Sequence, residues 1–307
     1  MPDEPIFLTT DTPPDSPDPR APGGPRPGPE ALKELSATAL ERGLGFVEGA
    51  GDEYALLRAH VVLEARPAGD VAEWLADRQD PAGSWSRRSI DLCEALGFES
   101  PEAWGDELAG TLSALATLGA TRQLHVEPAR RAEAWLRAAQ NADGSWGPTS
   151  LPPSERLYLT GSLAGLLGRT DYVRPPVLES AGEFLATLWS PEAVEGGRWS
   201  ALAAFAHFFT NVHHDLSDEA LQWCGRELER GFRTRRFDAL LTARVLLDCD
   251  AAALPAFGVA PEEMVAALAR EQAGDGGFAE LAAGGPGVRV DATIDGLRAL
   301  IALNRAF

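Results

Sequence analysis

Residues 74–85 read Trp74-Leu-Ala-Asp-Arg-Gln79-Asp-Pro-Ala-Gly83-Ser-Trp85, and residues 135–146 read Trp135-Leu-Arg-Ala-Ala-Gln140-Asn-Ala-Asp143-Gly144-Ser-Trp146. A third stretch, Leu268-Ala-Arg-Glu-Gln272-Ala-Gly-Asp275-Gly276-Gly-Phe278, has the same form. All three are Gln-x3-Gly-x-aromatic, preceded by an amphipathic helical pattern and followed by a loop and a Leu/Ala-rich helix. Gly196-Gly-Arg-Trp199 is a degenerate fourth copy without its Gln. A motif that returns in one helix–turn–helix register marks a stack of like units, none of which buries its apolar face alone. The motif has a physical logic. Glycine permits a reversal with positive φ, the aromatic ring covers the junction between two helices, and the Gln amide can satisfy backbone groups at the next helix end.

Outward from these copies the pattern stays helical. In Leu108-Ala-Gly-Thr-Leu112-Ser-Ala-Leu115-Ala-Thr-Leu118-Gly119, leucine falls every three or four residues and Gly119 supplies a C-terminal stop. Six helix pairs follow, at about 31–66, 70–119, 128–169, 176–213, 217–250 and 261–305. Six hairpins that each bury a face on the next predict a single all-α domain over 31–307, an (α/α)6 toroid with a central cavity. Residues 1–30 hold ten prolines with Asp, Gly and Thr between them, and Ile6, Phe7 and Leu8 are their one apolar cluster. That arm is expected to be disordered.

Composition excludes several classes. Asp and Glu number 46 against 27 Lys and Arg, a formal net charge of -19, which argues against binding nucleic acid through phosphate neutralisation. The 45% of apolar residues argues against an unstructured polyanion. No apolar run approaches the roughly 20 residues that span a bilayer, and the N-terminus does not read as a secretory signal. Cys93, Cys224 and Cys249 form no CxxC pair, so the expected compartment is a reducing cytoplasm. Lys33 is the only lysine, as in a GC-rich bacterial coding sequence. No Gly-x-Ser-x-Gly, P-loop, Gly-x-Gly-x-x-Gly or His-Glu-x-x-His occurs, so no cofactor or zincin motif is present.

The repeats resemble the QW motif of squalene–hopene cyclases, class II terpene cyclases and protein-prenyltransferase β subunits. The resemblance covers nearly all of 31–307, and it implies the same barrel. In that family the repeats are scaffold, so they speak for fold more than for reaction. The family's catalytic signatures are not matched. No D-x-D-D or D-D-x-x-D occurs; the nearest approach is Asp291-Ala-Thr-Ile-Asp295. Asp91-Leu-Cys93 has the first spacing of the prenyltransferase zinc site, but Glu155 and Arg156 stand where its His is expected. No metal site is predicted.

Aligning the Leu-rich helices on their tails puts Asp106, Glu155 and Asp291 at equivalent positions near the helix starts, with Asp238 and Glu53 at similar depth. In a toroid such ends converge, predicting a cavity rimmed by acids that could hold an amine or contain a proton donor. Acidic residues also cap helices and match the macrodipole, a competing account of each of them. Asp295 lies a full turn inside its helix beside Gly296, where no cap is needed, and Glu107 also departs from the capping pattern. The catalytic candidates are Asp291, Asp295, Asp106 and Glu107, with Asp295→Asn expected to remove activity without moving the melting temperature. The substrate-binding candidates are Glu53, Tyr54, Glu155, Arg156, Tyr158, Asp238 and His207, the last within Phe205-Ala-His-Phe208-Phe209. Taken with the resemblance, these residues lead to the expectation of a small-molecule cyclase of bacterial specialised metabolism such as antibiotic biosynthesis. It would close a ring on a prenyl chain or on a polar, amine-bearing substrate. The alternative is a non-catalytic scaffold that stabilises a second protein subunit. Aromatics and an uncapped buried carboxylate in the cavity would favour the enzyme; a hollow filled with Leu and Phe would favour the scaffold.

Overall fold

A computed structural model describes residues 28–86, 101–251, 253–278 and 286–306. The arm up to residue 27 and the Asp91–Cys93 pair lie outside them. Among the described residues there is no strand. The described residues hold twelve helices of nine residues or more, which follow in pairs. They are α1 (Pro29–Ala50) with α2 (Glu53–Val62), α3 (Ala68–Ala76) with α4 (Asp106–Ala120), and α5 (Glu127–Ala139) with α6 (Pro153–Gly168). Then come α7 (Pro175–Leu188) with α8 (Trp199–Asn211), α9 (Ser217–Arg233) with α10 (Ala239–Asp248), and α11 (Pro261–Glu271) with α12 (Pro286–Asn304). Proline opens α1, α5, α6, α7 and α11, where its missing N–H is no loss. The carboxylates of Asp52 and Asp238 cap α2 and α10, accepting from Ala55 N at 2.8 Å and Leu241 N at 2.7 Å. No described helix is long and apolar enough to cross a membrane.

The two sets of helices differ in kind. Every residue from Leu157 to Leu167 of α6 is buried, as is every residue from Ala239 to Leu247 of α10. In α9 the buried residues form one stripe, Ala220, Cys224, Gly225, Glu227, Leu228, Gly231 and Phe232. Even-numbered helices therefore lie inside and odd-numbered ones outside. The last pair packs on the first: α12 lies against α1 and α2, and α11 lies against α1.

The repeated Gln has one task in all three copies. Gln79 Nε2 donates to Gly83 O (2.7 Å) in its own loop and to Pro128 O (2.8 Å) in α5. Gln140 Nε2 donates to Gly144 O and to Val177 O in α7, both at 2.9 Å. Gln272 Nε2 donates to Gly276 O and to Ala39 O in α1, both at 2.8 Å. The third copy thus grips the first helix of the chain as the other two grip the next outer helix. The loop glycines share a constraint too. Gly83, Gly144 and Gly276 have φ of 105°, 84° and 91°, and a Cβ on them would come within 2.4, 2.0 and 2.2 Å of the carbonyl oxygens of Arg131, Ser180 and Arg42. Gln272→Ala is expected to leave two carbonyls without their partner and to cost about 2–3 kcal/mol, read as a lower urea midpoint at unchanged slope.

The aromatic of each motif is anchored on the following inner helix by its backbone N–H. Trp85, Trp146 and Phe278 donate to the hydroxyls of Thr111, Thr160 and Thr293 at 3.1, 3.1 and 3.0 Å. The Trp85 and Trp146 indoles also donate to Leu75 O and Leu136 O, each at 2.8 Å. These threonines supply the true register of α4, α6 and α12.

Candidate functional site

All six inner helices contribute to one cavity of about 190 Å³. Its wall near the N-terminal ends of α4, α6 and α8 is aromatic. Trp104, Tyr158 and Trp199 stand in a row with ring centroids 6.0 and 6.4 Å apart. The buried Glu155 accepts from Trp104 Nε1 at 2.5 Å, and Leu241 O accepts from Trp199 Nε1 at 3.0 Å, so both indoles are fixed.

Deeper, the wall becomes charged. Arg58 of α2 donates to Asp291 of α12 at 2.5 Å, and Arg244 Nε of α10 donates to Asp295 at 2.9 Å. Farther toward the C-terminal ends of the inner helices stand Asp248 of α10, Arg298 of α12, His207 of α8 and Arg169 just after α6. Asp248 ends α10, where a carboxylate opposes the helix dipole and caps nothing. Burial raises its carboxyl from the ordinary 3.8 to about 6, against the pull of Arg298. His207 is enclosed, its Nε2 has no hydrogen-bond partner, and burial together with Arg169 and Arg298 lowers the imidazole to about 3, so it is neutral at pH 7. Its ring lies against the Gly165 backbone of α6, where a Cβ would come within 2.7 Å. A second hollow, of about 600 Å³ at the C-terminal ends of the inner helices, adjoins the cavity and shares Val62, Ala120, Thr121 and Arg298 with it.

The sequence-predicted residues divide. Asp291, Asp295, Tyr158 and His207 line the cavity. Tyr54 sits beside it, stacked on Trp74 with centroids 3.8 Å apart and 5.4 Å from the Arg58 guanidinium; burial raises its pKa. The others do not line it. Glu53 and Asp106 are exposed first residues of α2 and α4, Glu107 is exposed, and Asp238 is the α10 cap. Glu155 buttresses Trp104. Arg156 pairs instead with Asp143 and Ser145 of its own repeat loop, as Arg289 pairs with Asp275 at 2.8 Å. Each of these arginines lies four residues before the anchoring Thr, and Glu107 occupies that register in α4.

The register corrects the alignment of acids. Asp106 and Glu155 lie five residues before their threonines, whereas Asp291 lies two before Thr293. Helix α12 starts at Pro286, so Asp291 is in its second turn and faces inward beside the position of Tyr158 rather than capping. The cavity is also not a ring of acids, because Arg58, Arg169, Arg244 and Arg298 face Asp248, Asp291 and Asp295 across it. These arginines and Asp248 escaped sequence reasoning. The usable signal was a charged side chain in a run that admits none outside, such as Arg244 in Leu240-Leu-Thr-Ala-Arg-Val-Leu-Leu247.

Among the described residues no three His, Cys, Asp or Glu side chains are grouped to hold a metal ion. Compared with known proteins, the sequence matches no family model and no curated protein.

Proposed function

We propose that the six hairpins close into an (α/α)6 ring of the QW-repeat type and that the protein is a small-molecule cyclase acting in the hollow. Support for the ring comes from Gln272 joining α11 to α1 and from one cavity lined by all six inner helices. The observation that carries the enzymatic reading is Asp248, a half-buried carboxylate lining the cavity, at the wrong end of a helix, raised to about 6. An acid of that strength exchanges protons near neutral pH, which a structural ion pair does not need. It is the general acid or base of the ring closure. Asp291 and Asp295, each fixed by an arginine, set the field at the cavity's centre and orient a polar group of the substrate. The aromatic row shapes an apolar part of the same molecule. Between the prenyl and polar substrates, the charged inner wall favours one that carries a polar group on an otherwise compact, partly apolar skeleton.

The test is incubation of the purified protein with a metabolite extract, followed by mass spectrometry. The expected result is consumption of a linear compound and appearance of its cyclised product, either an isomer or the same skeleton less a small leaving group. A protein that leaves every compound unchanged, and instead raises the stability of a co-purifying protein, overturns the cyclase reading in favour of a scaffold subunit. Asp295→Asn should lower turnover roughly tenfold to a hundredfold, as for loss of a positioning contact. It will not leave stability untouched, because it strips the buried Arg244 of its carboxylate, at about 1–3 kcal/mol in a calorimetric melt.

A further inference from the structure

We propose that the charged end of the cavity, at the C-terminal ends of the inner helices, is a binding site for a tetrahedral oxyanion, a sulfate or phosphate monoester on the substrate, held by Arg169, Arg298 and His207. The inference rests on the cavity being the reaction site and names the chemical class that it accepts.

Both arginines are rich in unused donors. Arg169 donates to Gly119 O at 3.3 Å and Arg298 to Leu247 O at 3.2 Å, and among the described residues neither has a carboxylate within ion-pair distance. A guanidinium carries five N–H donors, so each contact to a helix-end carbonyl leaves most of the fork available. Their positive charges are felt by each other. Burial, Arg298 and Arg122 lower the Arg169 pKa despite Asp250 and Asp248.

His207 is an independent pointer. Its side chain is almost wholly buried, it faces the cavity, and its Nε2 is without a partner. Leaving such an atom unpaired is costly unless a ligand satisfies it. A neutral imidazole can present Nε2–H to a ligand oxygen without adding charge. The three groups come from the end of α6, from α8 and from α12, so they converge from three directions. A flat carboxylate offers its acceptors in one plane, whereas a tetrahedral oxyanion offers three outward oxygens. Arg298 also borders the outer hollow, which gives an anion a charged path inward through a protein of net charge -19.

The experiment uses the full-length protein labelled with ¹⁵N-histidine, titrated with sodium sulfate and, separately, sodium phosphate, against sodium chloride at matched ionic strength. The His207 ring resonances, assigned with His207→Gln, are expected to move saturably with sulfate, phosphate or both, and the arm that saturates at lower concentration identifies the ester. Arg298→Lys and Arg169→Met should each weaken that binding about tenfold or more. Lysine keeps the charge of Arg298, which guards against a variant that fails to fold. No saturable shift in the wild-type protein, or an affinity unchanged from wild type in both arginine variants, overturns the proposal. Anion binding at His207 in a protein that cyclises nothing leaves this site standing and removes the cyclase reading; turnover that sulfate and phosphate neither bind nor inhibit does the reverse.

Discussion

Asp248→Asn should make the protein more stable above pH 6 while lowering turnover by about 10²–10⁴-fold, the usual worth of a general acid–base group. The sign follows from the direction of the shift. The carboxyl is raised from 3.8 to about 6 in the folded protein, so between those values the native state keeps a proton that the unfolded chain has released. Stability therefore falls as pH rises across that window, and above it Asp248 carries the full penalty. At about 1.4 kcal/mol per pH unit that amounts to roughly 2–3 kcal/mol. Asparagine has no charge to desolvate. Urea unfolding of both proteins from pH 4 to 8 should show a stability gap that is small at the acid end and widens to its full value by pH 7. A gap that stays constant with pH would mean that Asp248 is not held protonated by its surroundings.

Trp146→Ala should destabilise by about 3–5 kcal/mol, at the upper end for a single substitution. The indole is fully buried between outer and inner helices, and its Nε1–H satisfies Leu136 O at 2.8 Å. Truncation leaves both a cavity and a buried carbonyl. Trp146→Phe separates the two effects, since it keeps most of the ring and loses only the indole bond, for about 1–2 kcal/mol. The third repeat makes that variant plausible as a folded protein, because Phe278 already fills the equivalent place and packs on Gly296. Equilibrium urea denaturation of the three proteins should rank them wild type, Phe, Ala; an Ala variant within about 1 kcal/mol of wild type would remove the scaffold role of the repeats.

The all-helical hairpin pattern was legible because its determinants are local. Gln-x3-Gly-x-aromatic spans seven residues, and the structure uses its Gln, Gly and aromatic in the turn or on a neighbouring helix, so a reader of the chain meets the whole device at once. The site was legible only in part. Asp295 stood out because a carboxylate mid-helix beside glycine has no local use, and it does face the cavity. Asp106, Glu155 and Arg156 misled because their spacing from leucine tails ignores the threonine that sets the register, and a shift of two or three residues moves a side chain up to a turn along the helix, from the hollow to its loop end. The partners were beyond reach: Arg58 meets Asp291 across 233 residues, and Arg244 meets Asp295 across 51, pairings that exist only once the hairpins are assembled.

The bond from Gln272 to Ala39 has a consequence for motion. A linear array of hairpins can unzip from its looser end and let a guest in sideways, since each unit touches only its neighbours. Here the two ends of the array clasp each other, and Asn304 adds a hydrogen bond to Ser36 beside them. In the closed ring proposed above, lateral parting would breach the whole circuit, so amide exchange in the inner helices should be governed by one global opening rather than by fraying from either terminus. Traffic to the interior is left to the mouths, where the rate of entry depends on a few side chains at the threshold and not on any sliding of the walls.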